Sequence, residues 1–276
     1  MSNSKTFFLT GSARGLGRSI AEAILEAGHT LVATARRPSQ LDDLVARFGP
    51  RILPLALDVT DAEAADAAMK TAVQAFGRID VIINNAGFGH VGSVEDMPVQ
   101  AIASQINTNF LGSVNVIKAA LPILREQSAG RIIQVSSVGA RIGLPGVAGY
   151  FASKWAISGF IESLAPEVAP LGIHVTAVEP GGMKTDFAED SSLTIHASQP
   201  AYEATAGAVA AMMKAPDYGS DYAEPADIAA VILKIAGLDA PPVRMLLSRG
   251  SWDHAKAIEE VRIEADRQWQ ELATSI

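Results

Sequence analysis

Continuous apolar runs alternate with amphipathic stretches of helical period along almost the whole chain. Lys5–Thr10 predicts a buried strand, Leu16–Ala27 predicts a helix that ends at Gly28, and His29–Thr34 predicts the next strand. The strand signal recurs five more times, at 51–57, 79–84, 131–136, 173–178 and 243–248, with Asp61 as the expected N-cap of the helix after the third strand. Because strands joined by helices run parallel and are covered on both faces, the pattern predicts an α/β Rossmann fold, a doubly wound, seven-stranded parallel sheet.

No Pro-rich linker, charge block or low-complexity tract divides the 276 residues, so one catalytic domain is expected over 1–276. The net charge of -8 argues against nucleic acid as a partner, because phosphate binding needs a concentrated basic surface. The chain has no cysteine, and its five histidines show no metal-ligand spacing, so no metal site is expected. The start of the chain is short and polar, and no apolar run is long enough to span a bilayer. We therefore expect no membrane contact and a cytoplasmic location.

Candidate chemistry lies just after the predicted strands, where ligands bind in doubly wound sheets. The first strand leads into a turn with Gly11, Gly15 and Gly17, which permits close backbone approach and offers helix N–H groups to a pyrophosphate. Tyr150 and Lys154 are four residues apart in a predicted helix, so both side chains can act on one site. A fixed cation near a phenol favours the phenolate and is expected to lower its pKa.

Together, the Gly-x-x-x-Gly-x-Gly turn and Tyr-x-x-x-Lys resemble the NADP-preferring type of the short-chain dehydrogenase/reductase (SDR) family. The resemblance covers nearly the whole chain, and further motifs match in order: Asn84-Asn85-Ala86-Gly87, Asn109, Ser137, and Pro180-Gly181 with Thr185. It implies an oxidoreductase in which Tyr150 is the general acid or base and Lys154 lowers the phenol pKa and binds the nicotinamide ribose. Ser137 would donate to the substrate oxygen, and Asn109 would hold a water near Lys154. Ser136 is a rival to Ser137, although alternation along the strand sends only one of the two side chains to the site.

Cofactor binding is expected along the ends of the first, second, third, fourth and sixth strands. The predicted second strand is followed by Arg36 and Arg37 and not by an acid, which favours the 2′-phosphate of NADP(H) over NAD(H); ordinary surface arginines are the alternative. Asp58 is similar to the family's adenine-binding Asp, or it caps a turn. The expected cofactor-binding residues are Gly11, Ser12, Arg14, Gly15, Leu16, Gly17, Arg36, Arg37, Asp58, Val59, Asn85, Ala86, Gly87, Tyr150, Lys154, Pro180, Gly181, Met183 and Thr185.

The substrate is expected to be a lipophilic ketone or secondary alcohol. The segment at about 186–222 breaks the alternation of strands and helices and is expected to form a mobile cover. Ordinary helix packing explains its methionines as well as a pocket does, and His90 either contacts substrate or is a surface loop residue. The expected apolar pocket residues are Met183, Phe187, Met212, Met213, Ile142 and Leu144.

The resemblance implies a homodimer or homotetramer, formed through the helices after the fourth and fifth strands. A C-terminal helical extension at about 252–276 either covers an interface or caps the substrate mouth. Two other functions are left open: a non-catalytic NADP-binding regulator with this fold, and an NAD(P)-dependent epimerase or dehydratase.

Overall fold

The computed structural model describes residues 4–184, 192–215, 218–219 and 222–276. Within them, seven parallel strands form the main sheet, and a further pair of three-residue strands lies outside it. The strands are β1 (Thr6–Thr10), β2 (Thr30–Ala35), β3 (Ile52–Ala56), β4 (Val81–Asn84), β5 (Gly89–Val91), β6 (Gly130–Val135), β7 (Ile173–Pro180), β8 (Leu193–Ile195) and β9 (Arg244–Leu247).

Helices connect the strands and cover both faces of the main sheet. They are α1 (Gly15–Glu26), α2 (Asp42–Phe48), α3 (Ala62–Phe76), α4 (Val99–Ile106), α5 (Gly112–Gln127), α6 (Ala148–Val168), α7 (Ala208–Met213), α8 (Pro225–Ile235) and α9 (Arg249–Ala273). A π-helical turn, Asn107–Leu111, joins α4 to α5. None of these helices in the described part of the chain is both long and apolar enough to cross a membrane.

The strand order of the main sheet is β3-β2-β1-β4-β6-β7-β9, and all of its pairings are parallel. The chain moves outward from β1 to β3, then returns to add β4 on the other side of β1. This reversal opens a crevice beyond the carboxyl ends of β1 and β4, which is where ligands bind in sheets of this kind. The predicted fold class is therefore confirmed.

Two apolar cores lie on opposite faces of the sheet because successive strand side chains alternate. Phe7 and Leu9 pack with α1 and α8 on one face, whereas Phe8 packs with α3, α5 and α6 on the other. All three side chains are fully buried. Burial on both faces explains why the strands are continuous apolar runs.

The predicted strands are all present, with ends that differ from the predictions by up to two residues. Asp61 caps α3 as expected, since its Oδ1 accepts from the Ala64 N–H at 2.9 Å. The β5–β8 pair is not predicted, because three-residue strands are too short for a periodicity signal. The C-terminal helix begins at Arg249, three residues before the predicted start. The assignment of 1–276 to a single domain stays a prediction.

Candidate active site

The turn after β1 is built for close backbone approach. Gly11 and Gly15 have φ of +68° and +52°, a region that favours glycine. A Cβ on Gly17 would lie 2.0 Å from the carbonyl oxygen of Gly11, so α1 can approach the turn only because that residue is glycine. No side chain among the described residues caps α1, and its first N–H groups are therefore available to an anionic ligand.

The ends of β1 and β4 are tied together by a threonine and an asparagine. Thr10 Oγ1 accepts from the N–H groups of Asn85 and Ala86 at 2.9 and 3.0 Å. The Asn85 amide donates in return to the carbonyl oxygens of Thr10 and Gly11, both at 3.1 Å. These bonds hold the glycine turn in register with the loop after β4. Thr10 was missed by sequence reasoning, and its only signal is a polar residue at the end of a buried strand.

A cavity of about 1260 Å³ extends over the carboxyl ends of the strands. This volume exceeds that of most small-molecule sites, so it has room for a dinucleotide together with a second ligand. Most of the predicted site residues line it: Gly11, Arg14, Gly15, Leu16, Gly17, Arg36, Arg37, Asp58, Val59, Asn85, Ala86, Gly87, Ser137, Tyr150, Lys154, Pro180, Gly181 and Met183.

Ser12, Asn109 and Thr185 are the predicted site residues that do not appear in this lining. Ser12 is fully buried, and its Oγ donates to the Leu9 carbonyl at 3.1 Å, so its side chain points into the fold. Asn109 is buried behind the wall, where its Oδ1 accepts from Phe88 N–H and its Nδ2 donates to Phe88 O, at 3.0 and 2.9 Å. Asn109 therefore holds the loop after β4 in place. Thr185 lies outside the described residues.

Tyr150 and Lys154 lie one turn apart near the start of α6, and both line the cavity beside Ser137. Tyr150 and Ser137 are joined by a side-chain hydrogen bond. The Lys154 ammonium lies 5.6 Å from the centre of the Tyr150 ring and donates to the Val135 carbonyl at 3.1 Å. Ser136 Oγ instead bonds to Ser158 Oγ at 2.8 Å, so of the two adjacent serines it is Ser137 that reaches the phenol.

Burial controls the electrostatics of this pair. It raises the pKa of Tyr150 to about 12, and the hydrogen bond with Ser137 only partly opposes this. Burial also lowers the pKa of Lys154 to about 8. The expected lowering of the phenol's pKa is thus corrected for the ligand-free protein, because burial, the largest cause of both shifts, disfavours the charged form of each group.

The cavity ends at the carboxyl ends of β2 and β3, beside two exposed arginines, Arg36 and Arg37. Asp58 Oδ1 accepts from Thr60 N–H at 3.0 Å and from Thr60 Oγ1 at 2.7 Å, and these bonds, with a smaller effect of Arg36, lower its pKa. Asp58 therefore stabilises a turn through Thr60 and also lines the cavity. Its position agrees both with capping a turn and with a place beside the adenine of a cofactor.

The other end of the cavity is braced by the C-terminal helix. A Cβ on Gly181 would lie 1.9 Å from Ser251 Oγ, so the first turn of α9 packs directly on the loop after β7. Glu179, fully buried at the end of β7, accepts from Arg141 Nε at 2.5 Å and from Arg244 Nε at 2.6 Å. Arg141 also pairs with Glu259 of α9 at 2.7 Å. This ionic cluster joins α9 to the segment that follows Ser137, and sequence reasoning missed it.

Part of the predicted apolar pocket is present. Met183, Met213 and Leu144 line the cavity. Ile142 is instead buried in the fold and Met212 is 49% exposed, so neither lines it, and Phe187 lies outside the described residues. Adjacent residues on a helix point about 100° apart, which explains why Met213 faces the cavity and Met212 does not. Other apolar lining residues, missed in the sequence, are Phe88, Val91, Val147, Phe151 and Leu193.

His90 also lines the cavity, and its Nδ1 lies 3.1 Å from Nε2 of His196. Of the two alternatives considered for His90, the structure therefore places it on the cavity wall. Among the described residues, no group of three or more histidine or acidic side chains is arranged to hold a metal ion.

The doubly wound sheet, the glycine turn at its switch point and the tyrosine, lysine and serine on one cavity wall are the features of a Rossmann-type oxidoreductase. The family model for short chain dehydrogenase matches residues 5–196. The chain belongs to the short-chain dehydrogenase family.

Similarity to family members extends over nearly the full length. Oxidoreductase BOA17 from Botryotinia fuckeliana is 46% identical over 270 residues, which cover 98% of each chain. The crystal structure of a short-chain dehydrogenase from Streptomyces avermitilis superposes with a TM-score of 0.91 at 32% identity, covering 99% of this chain and 98% of that one. A short chain dehydrogenase from Burkholderia cenocepacia, solved in complex with NADP, has a TM-score of 0.75 at 25% identity and the same coverage.

Proposed function

We propose that this oxidoreductase uses NADP(H) to reduce a lipophilic ketone, or to oxidise the corresponding secondary alcohol, with Tyr150 as the general acid or base. The observation that carries the proposal is the arrangement of Ser137, Tyr150 and Lys154 on one wall of the cavity, with the phenol hydrogen-bonded to the serine. A proton donor and a hydrogen-bond donor on one wall suit a reaction that changes the charge on a single substrate oxygen.

Each residue of the site has a separate role in the proposed reaction. Tyr150 gives its proton to the carbonyl oxygen during reduction, and its high pKa keeps it protonated and ready to donate at neutral pH. Ser137 orients that oxygen and stabilises the negative charge that develops on it. The positive charge of Lys154 favours the phenolate that remains, and Asn109 keeps the loop after β4 in place. When bound, NADP(H) supplies or accepts the hydride.

The residues present fit a dinucleotide that carries a 2′-phosphate. Gly17 lets α1 pack closely against the glycine turn, since a Cβ there would meet the Gly11 carbonyl, and the uncapped N-terminus of α1 suits a pyrophosphate. Arg36 and Arg37 follow β2 at the cavity edge, where an acid would favour NAD(H). Guanidinium groups bind phosphate through charge-assisted hydrogen bonds, and the similar protein from Burkholderia cenocepacia was solved with NADP. NADP(H) is therefore the proposed cofactor.

The apolar lining supports the lipophilic substrate. Val91, Val147 and Leu193 form a small buried cluster, and Tyr150 packs against it. Thus the phenol lies beside a surface suited to hydrocarbon, and burying apolar substrate area there contributes about 25 cal/mol per Å². Sugars and charged metabolites do not suit this wall.

The test is NADPH consumption over ketones of graded size, with the wild type, Tyr150→Phe and Arg36→Ala. We expect turnover of the apolar ketones by the wild type and a loss of at least about a hundredfold in Tyr150→Phe, the contribution typical of a general acid. Arg36→Ala should lower kcat/KM for NADPH and leave that for NADH nearly unchanged. Retained turnover in Tyr150→Phe would contradict the mechanism. NADPH binding without turnover of any ketone would favour a non-catalytic regulator.

We also propose a homodimer or homotetramer. The support is the family resemblance, in which subunits associate through the helices that correspond to α5 and α6. Multi-angle light scattering of the purified chain measures the oligomer mass, and a monomer at micromolar concentration would contradict this part of the proposal.

A further inference from the structure

The β5–β8 pair lies outside the main sheet and forms part of the wall of the cavity. His90 and Thr194 are direct partners in its register, and both line the cavity. Main-chain bonds extend the pairing at each end, from Gly89 N to Ser192 O and from His196 N to Val91 O, both at 2.8 Å. The backbone pairing of the two strands therefore fixes the positions of the His90 and Thr194 side chains.

A polar clamp fixes the segment that follows β8 to the segment that follows β5. Gln199 donates from its main chain to one carboxylate oxygen of Asp96 and from its side chain to the other, at 3.0 and 2.6 Å. Ser93 Oγ donates to Asp96 as well, at 2.6 Å. The described part of the predicted cover is thus anchored, and the wall that carries His90 has a defined shape.

The His90 ring is oriented by two aromatic neighbours. Its Nδ1 lies 3.1 Å from Nε2 of His196, and the edge of Phe88 meets it at 84° with the ring centres 5.3 Å apart. Among the described residues, no hydrogen-bond partner is present for the other nitrogen, Nε2 of His90. Burial, assisted by His196, lowers the pKa of His90, so the ring is neutral at neutral pH. A neutral imidazole carries one donor and one acceptor.

Ser192 and Thr194 also line this wall, but several of the side chains around His90 are apolar, so its Nε2 is a polar atom beside an apolar surface. Phe88, Val91, Leu193 and Met213 line the same cavity as His90. A polar group placed among apolar side chains gains specificity because a ligand that lacks its hydrogen-bonding partner leaves it unpaired. The reactive oxygen, in contrast, is bound at Ser137 and Tyr150.

We propose that His90 is a specificity-determining residue that binds a hydroxyl group of the substrate, remote from the carbonyl at Tyr150, and that His196 is a positioning residue for its ring. This inference rests on the proposed ketone reduction and narrows its substrate class to hydroxylated lipophilic ketones. A hydroxyl is the matching group because it both donates and accepts, and so it pairs with Nε2 in either tautomer of the histidine pair.

The test compares α-tetralone with its mono-hydroxylated forms and their methyl ethers, using NADPH consumption. For the wild type, at least one hydroxylated ketone should have a kcat/KM about fivefold above that of unsubstituted tetralone, the worth of one neutral hydrogen bond. Its methyl ether should lose most of this advantage, since the added methyl group blocks donation and takes up space.

Matched variants assign the effect to Nε2. Asparagine places its amide near the position of Nδ1 and lacks an atom at Nε2, whereas glutamine reaches the position of Nε2. His90→Asn should therefore abolish the roughly fivefold ratio between the hydroxylated and unsubstituted ketones, and His90→Gln should retain part of it. His196→Phe, which keeps His90 but removes its oriented partner, should reduce the ratio to an intermediate value. Thermal melting and NADPH binding confirm that each variant is folded.

The outcomes separate this inference from the function on which it rests. A wild type that reduces tetralones with no preference for any hydroxylated form, or a preference that survives His90→Asn, would overturn the role of His90 and leave the ketone reduction standing. A wild type that reduces no ketone would overturn both. Abolition of the ratio by His90→Asn, with turnover dependent on Tyr150, is the result that we expect.

Discussion

Replacing Lys154 with methionine should stabilise the ligand-free protein near neutral pH and change the way its stability depends on pH. The Lys154 side chain is buried, at 6% exposure, and its ammonium donates to the Val135 carbonyl at 3.1 Å. Burial lowers its pKa from 10.5 to about 8. This difference corresponds to about 3 kcal/mol against the charged form in the folded state. Methionine has a similar length and carries no charge, so it avoids that cost.

Two opposing effects set the size of the change at neutral pH. The variant no longer carries the cost of a buried ammonium, about 3 kcal/mol, but the Val135 carbonyl loses the hydrogen bond from Lys154 and keeps that from the Gln134 amide, which costs about 1 kcal/mol. We therefore expect Lys154→Met to raise the free energy of unfolding by about 2 kcal/mol at about pH 7. The same variant should have lost its oxidoreductase activity.

The pH dependence follows from the direction of the shift. Below about pH 8 the lysine is protonated in both folded and unfolded states, and the folded state bears the whole cost of the charge. Between about pH 8 and about pH 10.5 the unfolded chain binds more protons, so the stability of the wild type rises with pH. From about pH 7 to about pH 9.5 this gain amounts to about 2 kcal/mol, and the variant lacks it.

Urea denaturation of the wild type and Lys154→Met at both pH values measures the effect. Other groups that titrate in this interval cancel in the comparison between the two proteins. The stability difference between them should therefore shift by about 2 kcal/mol in favour of the wild type as the pH rises. Stability curves that stay parallel would show that Lys154 keeps an ordinary pKa in the fold, and the electrostatic account of the site would then be wrong.

Four further predictions concern activity and stability. For ketone reduction, kcat/KM should fall above about pH 8, as Lys154 loses its charge while Tyr150 stays protonated; a profile that is flat to about pH 10 would contradict this. Gly17→Ala should cost about 2 kcal/mol in thermal denaturation and abolish NADPH binding measured by fluorescence, because the added methyl group meets a backbone oxygen. Glu179→Gln should lower stability by about 3 kcal/mol, since two arginines lose a buried carboxylate; a change below about 1 kcal/mol would contradict that role. Asp61→Ala should cost about 1 kcal/mol through loss of its helix cap and leave kcat/KM unchanged, which makes it a control for simple destabilisation.

Local signals predicted the parts of the site that depend on backbone shape and on spacing within one element. The glycines at 11, 15 and 17 occur where a strand turns into a helix, and the structure gives Gly11 and Gly15 the positive φ that the turn needs. Tyr150 and Lys154 face one cavity because a helical turn separates them. Of the two candidate serines, Ser137 is the one hydrogen-bonded to the phenol, whereas Ser136 Oγ bonds to Ser158. Each of these features is visible within a few residues of sequence.

Features that depend on distant partners were not predictable in this way. The β5–β8 wall, the His90–His196 pair and the cluster around Glu179 all join segments that are far apart in the chain. Which apolar residues line the pocket depends on the direction of each side chain. Met213 faces the cavity, whereas Ile142 and Met212 face away from it. Short strands and single polar residues leave no periodic signal from which such contacts can be inferred.

The sequence by itself determined the doubly wound fold, the glycine turn and the tyrosine-lysine pair, because periodicity and motif spacing are local properties of a chain. Only the tertiary structure decided the ionisation of that pair, since burial and not the neighbouring charge controls both pKa values. It likewise decided that a histidine from one loop meets a histidine from another at the cavity wall. Burial and long-range contact exist only once the chain has folded, and the chemistry of this site depends on both.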